Sequence, residues 1–154
     1  MPASKRFSTA AWLLLGYTLA VVLWGALVRA TLSGDGCGDH WPLCNGLVVP
    51  VEASAKTLIE LTHRVTSGLC WAFTFGMWLA SRRLFEGGHP SRRAAGWSLF
   101  FMSTEALVGA GLVLFKMVAS NPSMARAGWM SLHLVNTFLL LSLIHISEPT
   151  RLAT

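Results

Sequence analysis

The amino-acid sequence predicts an all-α integral membrane protein whose four transmembrane helices form a four-helix bundle. The chain has 154 residues, of which 53% are hydrophobic and only 12% are charged, about half the charged fraction of a typical soluble domain. Four apolar stretches are long enough to cross a bilayer, which takes about 20 helical residues. This composition excludes intrinsic disorder, a charged coiled coil and a water-soluble globule.

Three loops of different character separate the four predicted spans. Lys5 and Arg6 precede the first span, and a long loop rich in glycine and aspartate follows it. A short loop with four arginines follows the second span, and a short polar loop around Asn121 and Pro122 precedes the fourth. The predicted spans cover residues 9–28, 58–80, 94–115 and 127–146.

The distribution of charge predicts the orientation in the membrane. Cations gather before the first span and after the second, so the positive-inside rule places the N-terminus in the cytoplasm and the first loop outside. The net charge of +5 therefore indicates topology and not nucleic-acid binding. A cleaved signal peptide is the alternative for the first span, but Arg29 stands where small neutral residues should precede the cleavage site.

Residues 141–154, at the end of the sequence, are expected not to belong to the native protein. Residues 141–151 read LSLIHISEPTR, the translation expected of an adapter used in preparing sequencing libraries. We therefore expect the native protein to continue past Leu140, with residues 1–140 forming a four-helix unit. Residues 141–154 are then excluded from reasoning about the fold.

Two histidines are the strongest sign of chemistry. His63 is seven residues after Lys56, and His133 is seven residues after Arg126. The second and fourth spans run in the same direction, so equal offsets predict equal depth, roughly 9–10 Å below the outer surface. Two histidines at one level on separate helices are what bis-histidine ligation of haem iron requires. Alternatively, each histidine contacts a polar group or lines a small aqueous pocket.

Two acidic residues fall inside predicted spans, where a carboxylate is costly unless it has a partner or a function. Glu60 is three residues before His63 and so shares its helix face. It is a candidate proton acceptor beside a bound ligand, or a partner of Arg64 or Lys56. Glu105 lies near the middle of the third span and is expected to be protonated or hydrogen-bonded.

A pair of cysteines lies in the external loop. Cys37 and Cys44 are separated by six residues, and a disulfide can form outside the cytoplasm. The spacing fits neither a zinc pair nor the attachment motif of c-type haem. Two free thiols are the alternative. Cys70, inside the second span, is expected to act as a small apolar residue.

Several cations fall at the outer ends of the predicted spans. Arg29, Arg64 and Arg126 are candidate contacts for haem propionates, which point to the membrane interface. Each could equally extend to water and lipid headgroups.

Together these residues resemble the haem A synthase family. The motifs that carry the resemblance are GALVRATLSGDGCGDHWPLCNG at residues 25–46, IELTHR at 59–64 and LHLVNT at 132–137. Members of that family have eight membrane helices in two similar halves, and the resemblance covers only the N-terminal half. It implies an oxidoreductase that converts the C8 methyl of haem O to a formyl group by successive hydroxylations at the outer face of a prokaryotic plasma membrane.

The resemblance also implies roles for individual residues. His63 and His133 resemble the axial pair of the substrate haem, and Glu60 resembles the acidic residue near the reacting methyl group. Cys37 and Cys44 resemble an outer disulfide found in one branch of the family. Haem b is expected as cofactor in the second half, which this sequence lacks, so the chain alone is expected to be inactive. Haem O synthase, cytochrome oxidase assembly factors and a second copy of the chain are the expected partners.

Two other functions fit part of the pattern. A four-helix membrane cytochrome of the b type would explain the two histidines, but neither the acid on the same face as His63 nor the cysteine pair. A transporter or assembly factor with buried acids along a path would make the histidine match a coincidence.

Overall fold

The computed structural model describes residues 3–118 and 121–147 and confirms an all-α protein. The helices are α1 (Ala3–Ala30), α2 (Ala55–Leu84), α3 (Pro90–Leu114) and α4 (Met124–Ile146). Within the described residues, β pairing is limited to one isolated bridge between Cys44 and Leu47. Residues 141–147 continue α4 and its C-terminal cap, whereas residues 148–154 of the expected adapter segment lie outside the described residues.

The four helices form a bundle in which each packs against two neighbours. Helix α1 packs against α2 and α4, and α3 packs against the same two helices. Side-chain contacts show that sequential helices are antiparallel: Tyr17 bonds to Thr66 whereas Trp24 bonds to Ile59. Helices α2 and α4 therefore run in the same direction on one diagonal of the bundle, and α1 and α3 occupy the other diagonal.

Three of the helices are long and apolar enough to cross a membrane by length and composition. These segments are Ser4–Ala30, Pro90–Leu114 and Met124–Ile146. Helix α2 has 30 residues, about 45 Å at 1.5 Å per residue, but it carries more charge. Its role as the fourth span stays a prediction, supported by its position between α1 and α3.

The helices extend past the predicted spans because capping groups, and not hydropathy, set their ends. Ser54 caps α2 by accepting a hydrogen bond from the Thr57 amide, and Ser123 caps α4 in the same way. Such a side-chain acceptor satisfies one of the free amides at a helix start. The apolar pattern shows only the part of each helix that suits the hydrocarbon region.

The apolar core is concentrated in one half of the bundle. Its buried members come from the first half of α1 and α3 and from the second half of α2 and α4, so they lie at the end of the bundle opposite His63. They are Phe7, Ala11, Leu14, Cys70, Met77, Ala95, Met102, Leu140 and Ile144. The other half contains the polar groups described below.

The loop between α1 and α2 packs directly on the start of α2. The Gly36 carbonyl accepts hydrogen bonds from the Thr57 hydroxyl at 2.9 Å and from the Asn45 side chain at 3.3 Å. A Cβ at Gly36 would lie only 2.5 Å from the carbonyl carbon of Lys56. The close approach of two backbones therefore requires glycine at this position.

We expect Gly36→Ala to separate the loop from α2 and to lower stability by about 1–3 kcal/mol, the usual cost of overpacking. Gly68→Ala is the control, because nothing lies within 4 Å of its Cβ position and alanine favours the helix. Thermal unfolding in detergent measures both variants. An unchanged melting temperature for Gly36→Ala would contradict the packing described here.

Candidate functional site

The two histidines predicted as a pair lie on the diagonal helices α2 and α4. His63 is eight residues past the start of α2 at Ala55, and His133 is nine residues past the start of α4 at Met124. At 1.5 Å per residue these offsets are about 12 Å and 13.5 Å. Because the two helices run in the same direction, the imidazoles lie at similar distances from the N-terminal ends of their helices.

A glycine on a neighbouring helix makes room for each imidazole. A Cβ at Gly25 of α1 would lie 3.0 Å from Cε1 of His63, and one at Gly109 of α3 would lie 3.5 Å from Nε2 of His133. All four helices thus contribute to one level of the bundle. Small residues at both positions permit close approach of a ring or of a neighbouring helix.

A hydrogen-bonded network surrounds His133. Its Nδ1 lies 2.6 Å from Oε1 of Glu105, and the Thr137 hydroxyl donates to the same oxygen. Asn136 donates from Nδ2 to Oε2 of Glu105 at 2.6 Å and accepts from the Thr104 hydroxyl at 2.8 Å. The carboxylate is therefore satisfied inside the bundle, as its predicted position in the middle of a span requires.

The surroundings of His63 are different. Its Nδ1 is buried and has no hydrogen-bond partner within the described part of the chain. The two imidazoles therefore occupy unequal environments at one level of the bundle.

Glu60 is buried, with 3% of its surface exposed, and both of its carboxylate oxygens are engaged. Oε2 accepts a 2.8 Å hydrogen bond from the backbone amide of Cys37. Oε1 accepts from Nε and Nη2 of Arg64, at 3.0 and 2.5 Å. Of the partners considered from the sequence, the structure pairs Glu60 with Arg64. The backbone amide of the loop is an additional partner that spacing could not show.

The same arginine fastens the loop to α2. Nη1 of Arg64 donates to the carbonyls of His40 and Leu43, at 2.5 and 2.7 Å. In this arrangement its guanidinium is occupied by the loop and by Glu60. It therefore faces the loop and does not extend outward as a free cation.

The other two candidate arginines meet at the end of the bundle nearest the loop. Arg29 from α1 and Arg126 from α4 line one open surface cavity together with Ala26 and Ala30. Nη1 of Arg126 donates to the carbonyl of Asn121 at 3.2 Å, and its Nε is buried without a hydrogen-bond partner among the described residues. This arrangement can receive an anionic group.

The loop itself is closed by a bond between Cys37 and Cys44, with an S–S distance of 2.01 Å. Both cysteines are fully buried. An ion pair of 3.2 Å between Asp39 and Lys116 also connects the loop to the end of α3. The hydrogen bond from Lys116 holds the pKa of Asp39 below its ordinary value, so this contact forms at neutral pH and is lost as the pH falls through the lowered pKa.

The two histidines do not form part of a larger metal site. Among the described residues no group of three or more histidine, cysteine or acidic side chains is arranged to hold a metal ion. Two imidazoles are too few for the usual four-coordinate protein zinc site. They suit an iron whose equatorial positions are filled by a porphyrin.

The fold and the site define a multi-pass, all-α membrane protein with paired histidines at one level of a helical bundle. Comparison with known families identifies it further: the chain belongs to the COX15-CtaA family of cytochrome oxidase assembly proteins, whose sequence model matches residues 8–148. The resemblance to haem A synthase is therefore confirmed at the level of the family.

Individual relatives agree with this membership. The chain is 49% identical over 146 residues to a protein of Thermus thermophilus named protoheme IX farnesyltransferase, covering 95% of this chain and 24% of that protein. It is 41% identical over 97 residues to the haem A synthases of Bacillus mycoides and Bacillus cereus, covering 63% of this chain and 31% of those proteins. The chain thus spans about a quarter to a third of these relatives. No solved structure matches it.

We expect Cys37 and Cys44 to be oxidised in isolated membranes, because the loop geometry brings their sulfur atoms together. Alkylation after denaturation but without reduction should label only Cys70, which is buried and free and so serves as an internal control. Reduction before alkylation should label all three. Detection of alkylated Cys37 and Cys44 in the unreduced sample would show that the bond is absent.

Proposed function

We propose that this chain forms the substrate-binding half of a haem A synthase, which oxidises the C8 methyl of haem O to a formyl group. The observation that carries the proposal is the pair His63 and His133, at similar offsets on the diagonal helices and each beside a glycine of a third or fourth helix. A porphyrin between them would receive one imidazole on each face, as bis-histidine ligation requires.

The division of the bundle supports this proposal. The apolar cluster fills the half away from the histidines, while the histidine half contains glycines, polar side chains and the cations near its end. A flat, mainly apolar ligand with two carboxylates fits such a gradient. Arg29 and Arg126, which share a cavity, are the proposed propionate contacts. Arg64 is the weaker candidate because the loop occupies its guanidinium.

Glu60 is the proposed catalytic residue. Its carboxylate lies one helical turn nearer the loop than His63, and it accepts charge-assisted hydrogen bonds from Arg64 and a hydrogen bond from the Cys37 amide. A fixed negative charge in a low-dielectric site stabilises positive charge that develops on a nearby methyl carbon during oxidation. Each of the two hydroxylations would replace a hydrogen of that carbon with a hydroxyl group from water, with two protons released and two electrons passed on to an external electron acceptor. The resulting gem-diol would lose water to leave the formyl group.

The remaining assignments concern the whole protein. Haem b in the second half of the synthase would supply the route for electrons that leave the substrate. The N-terminus is proposed to be cytoplasmic and the disulfide loop external, in the plasma membrane of a prokaryote. Haem O synthase is a proposed partner, because a relative matched over a quarter of its length is named protoheme IX farnesyltransferase. Cytochrome oxidase assembly factors are further proposed partners.

We expect His63→Ala and His133→Ala each to abolish the low-spin spectrum of bound ferric haem, because each removes one of the two axial nitrogens. Absorption and electron paramagnetic resonance spectra of the purified chain, titrated with haem, measure this effect. His145→Ala is the control, since that residue lies at the opposite end of α4, beside Trp12. A low-spin spectrum unchanged in either test variant would exclude that histidine as a ligand.

Glu60→Gln should separate an enzyme from a simple cytochrome. The substitution keeps size and hydrogen-bonding capacity but removes the charge, so haem O should still bind with its low-spin spectrum. In the complete synthase, formation of haem A should fall about tenfold or more, and hydroxylated haem should accumulate. Chromatography of extracted haems measures the products. A wild-type yield of haem A would reduce Glu60 to a structural partner of Arg64 and of the loop.

A further inference from the structure

The two candidate axial ligands, His63 and His133, differ in the contacts that their Nδ1 atoms make. Nδ1 of His133 lies 2.6 Å from a carboxylate oxygen of Glu105. Nδ1 of His63 is also buried, yet it has no hydrogen-bond partner within the described residues. The positions of His63 and His133 in their helices predict that the two residues are equivalent ligands. The contacts of their Nδ1 atoms differ, however, so the two sides of the site are chemically different.

We propose that Glu105 is a positioning residue that makes His133 the permanent axial ligand of the substrate haem and leaves His63 as the exchangeable one. This inference rests on the proposed function of the histidine pair. It adds a role for Glu105 and an order of ligation that equal depth alone does not imply.

The first step of the argument is the direction of the His133 ring. The 2.6 Å contact between Nδ1 of His133 and Oε1 of Glu105 favours a proton on Nδ1, so that Nε2 would keep its lone pair for iron. Nε2 lies on the side of Gly109, one helical turn beyond Glu105 on α3, where a Cβ would approach it to 3.5 Å. The His133 ring is therefore held against α3, with Nε2 beside Gly109.

The second step is that Glu105 is itself held in place. Asn136 and Thr137 donate to its two oxygens, and Asn136 is in turn fixed by the Phe101 carbonyl and by the Thr104 hydroxyl. The carboxylate has few alternative positions, so the imidazole that it orients has few as well. Outer partners of this kind also increase the donor strength of the ligating nitrogen.

The third step concerns His63. No side chain in the described part of the chain accepts a hydrogen bond from its Nδ1, so neither its tautomer nor its donor strength is set in this way. It is the weaker ligand of the pair. A substrate must enter and its product must leave. If a haem were bound, His63 would be the residue that releases it first, while His133 would keep holding it.

The experiment uses the 154-residue chain in detergent, with ferric protohaem as the probe. We expect His63→Gly to retain haem as a five-coordinate, high-spin complex that added imidazole converts to the low-spin form. His133→Gly should weaken haem binding considerably more. Glu105→Gln should lower haem affinity about tenfold or more, within the range known for outer partners of metal ligands. It should also raise the reduction potential, because a charged partner favours ferric iron.

Ser103→Ala is the matched control for Glu105→Gln. Ser103 is on the same helix and accepts an interhelical hydrogen bond from Trp71, but no bond joins it to the His133 network in the described residues. If thermal unfolding shows that Glu105→Gln does not fold, Thr137→Ala tests the positioning role of Glu105 instead. That variant removes one donor to Glu105 and should lower haem affinity and raise the potential to a smaller extent.

The outcomes distinguish this inference from the proposed function. Equal loss of haem from the two histidine variants would overturn the inference while leaving the pair as ligands. A Glu105 or Thr137 variant whose haem affinity and reduction potential match those of Ser103→Ala would also overturn the inference. Absence of a low-spin spectrum in the unmodified chain would remove the proposed function and, with it, the order of ligation.

Discussion

The cost of leaving a polar group unpaired in a membrane bundle determines the arrangement of the half of this protein that contains His63 and His133. Away from water, an unsatisfied hydrogen-bonding group costs several kcal/mol, and an unpaired carboxylate costs more. The two buried acids meet this requirement in different ways. Glu60 pairs with Arg64 and a loop amide, while Glu105 pairs with His133, Asn136 and Thr137. Glu60 thereby holds the loop against α2, and Glu105 holds His133, a candidate ligand.

These two networks connect the loop between α1 and α2 to the interior of the bundle. The contact of Glu60 with the Cys37 amide requires the loop to lie flat on α2, and the close approach at Gly36 allows it. The bond between Cys37 and Cys44 keeps the carbonyls of His40 and Leu43 directed at Arg64. Since Arg64 also bonds to Glu60, the loop conformation determines where the proposed catalytic carboxylate is held.

Periodicity and charge predicted the helical architecture and the equal offsets of the two histidines, because both depend on distance along single helices. For Glu60 they left open a proton acceptor beside a ligand and a partner of Arg64 or Lys56, and the structure shows the contact with Arg64. The partner of Glu105 was not predicted, since its contact with His133 depends on the register between α3 and α4. A signal was present in the sequence: Asn136 and Thr137 follow His133 by one turn, on the face that an acid on a neighbouring helix could use.

The separation of the bundle into two halves is compatible with the ligand exchange proposed for His63. The apolar cluster of Phe7, Leu140, Ile144 and their neighbours fixes the helices at one end. Close packing of this kind transmits strain and resists rearrangement. The packing that fixes the helix positions therefore lies at the end of the bundle away from the histidines.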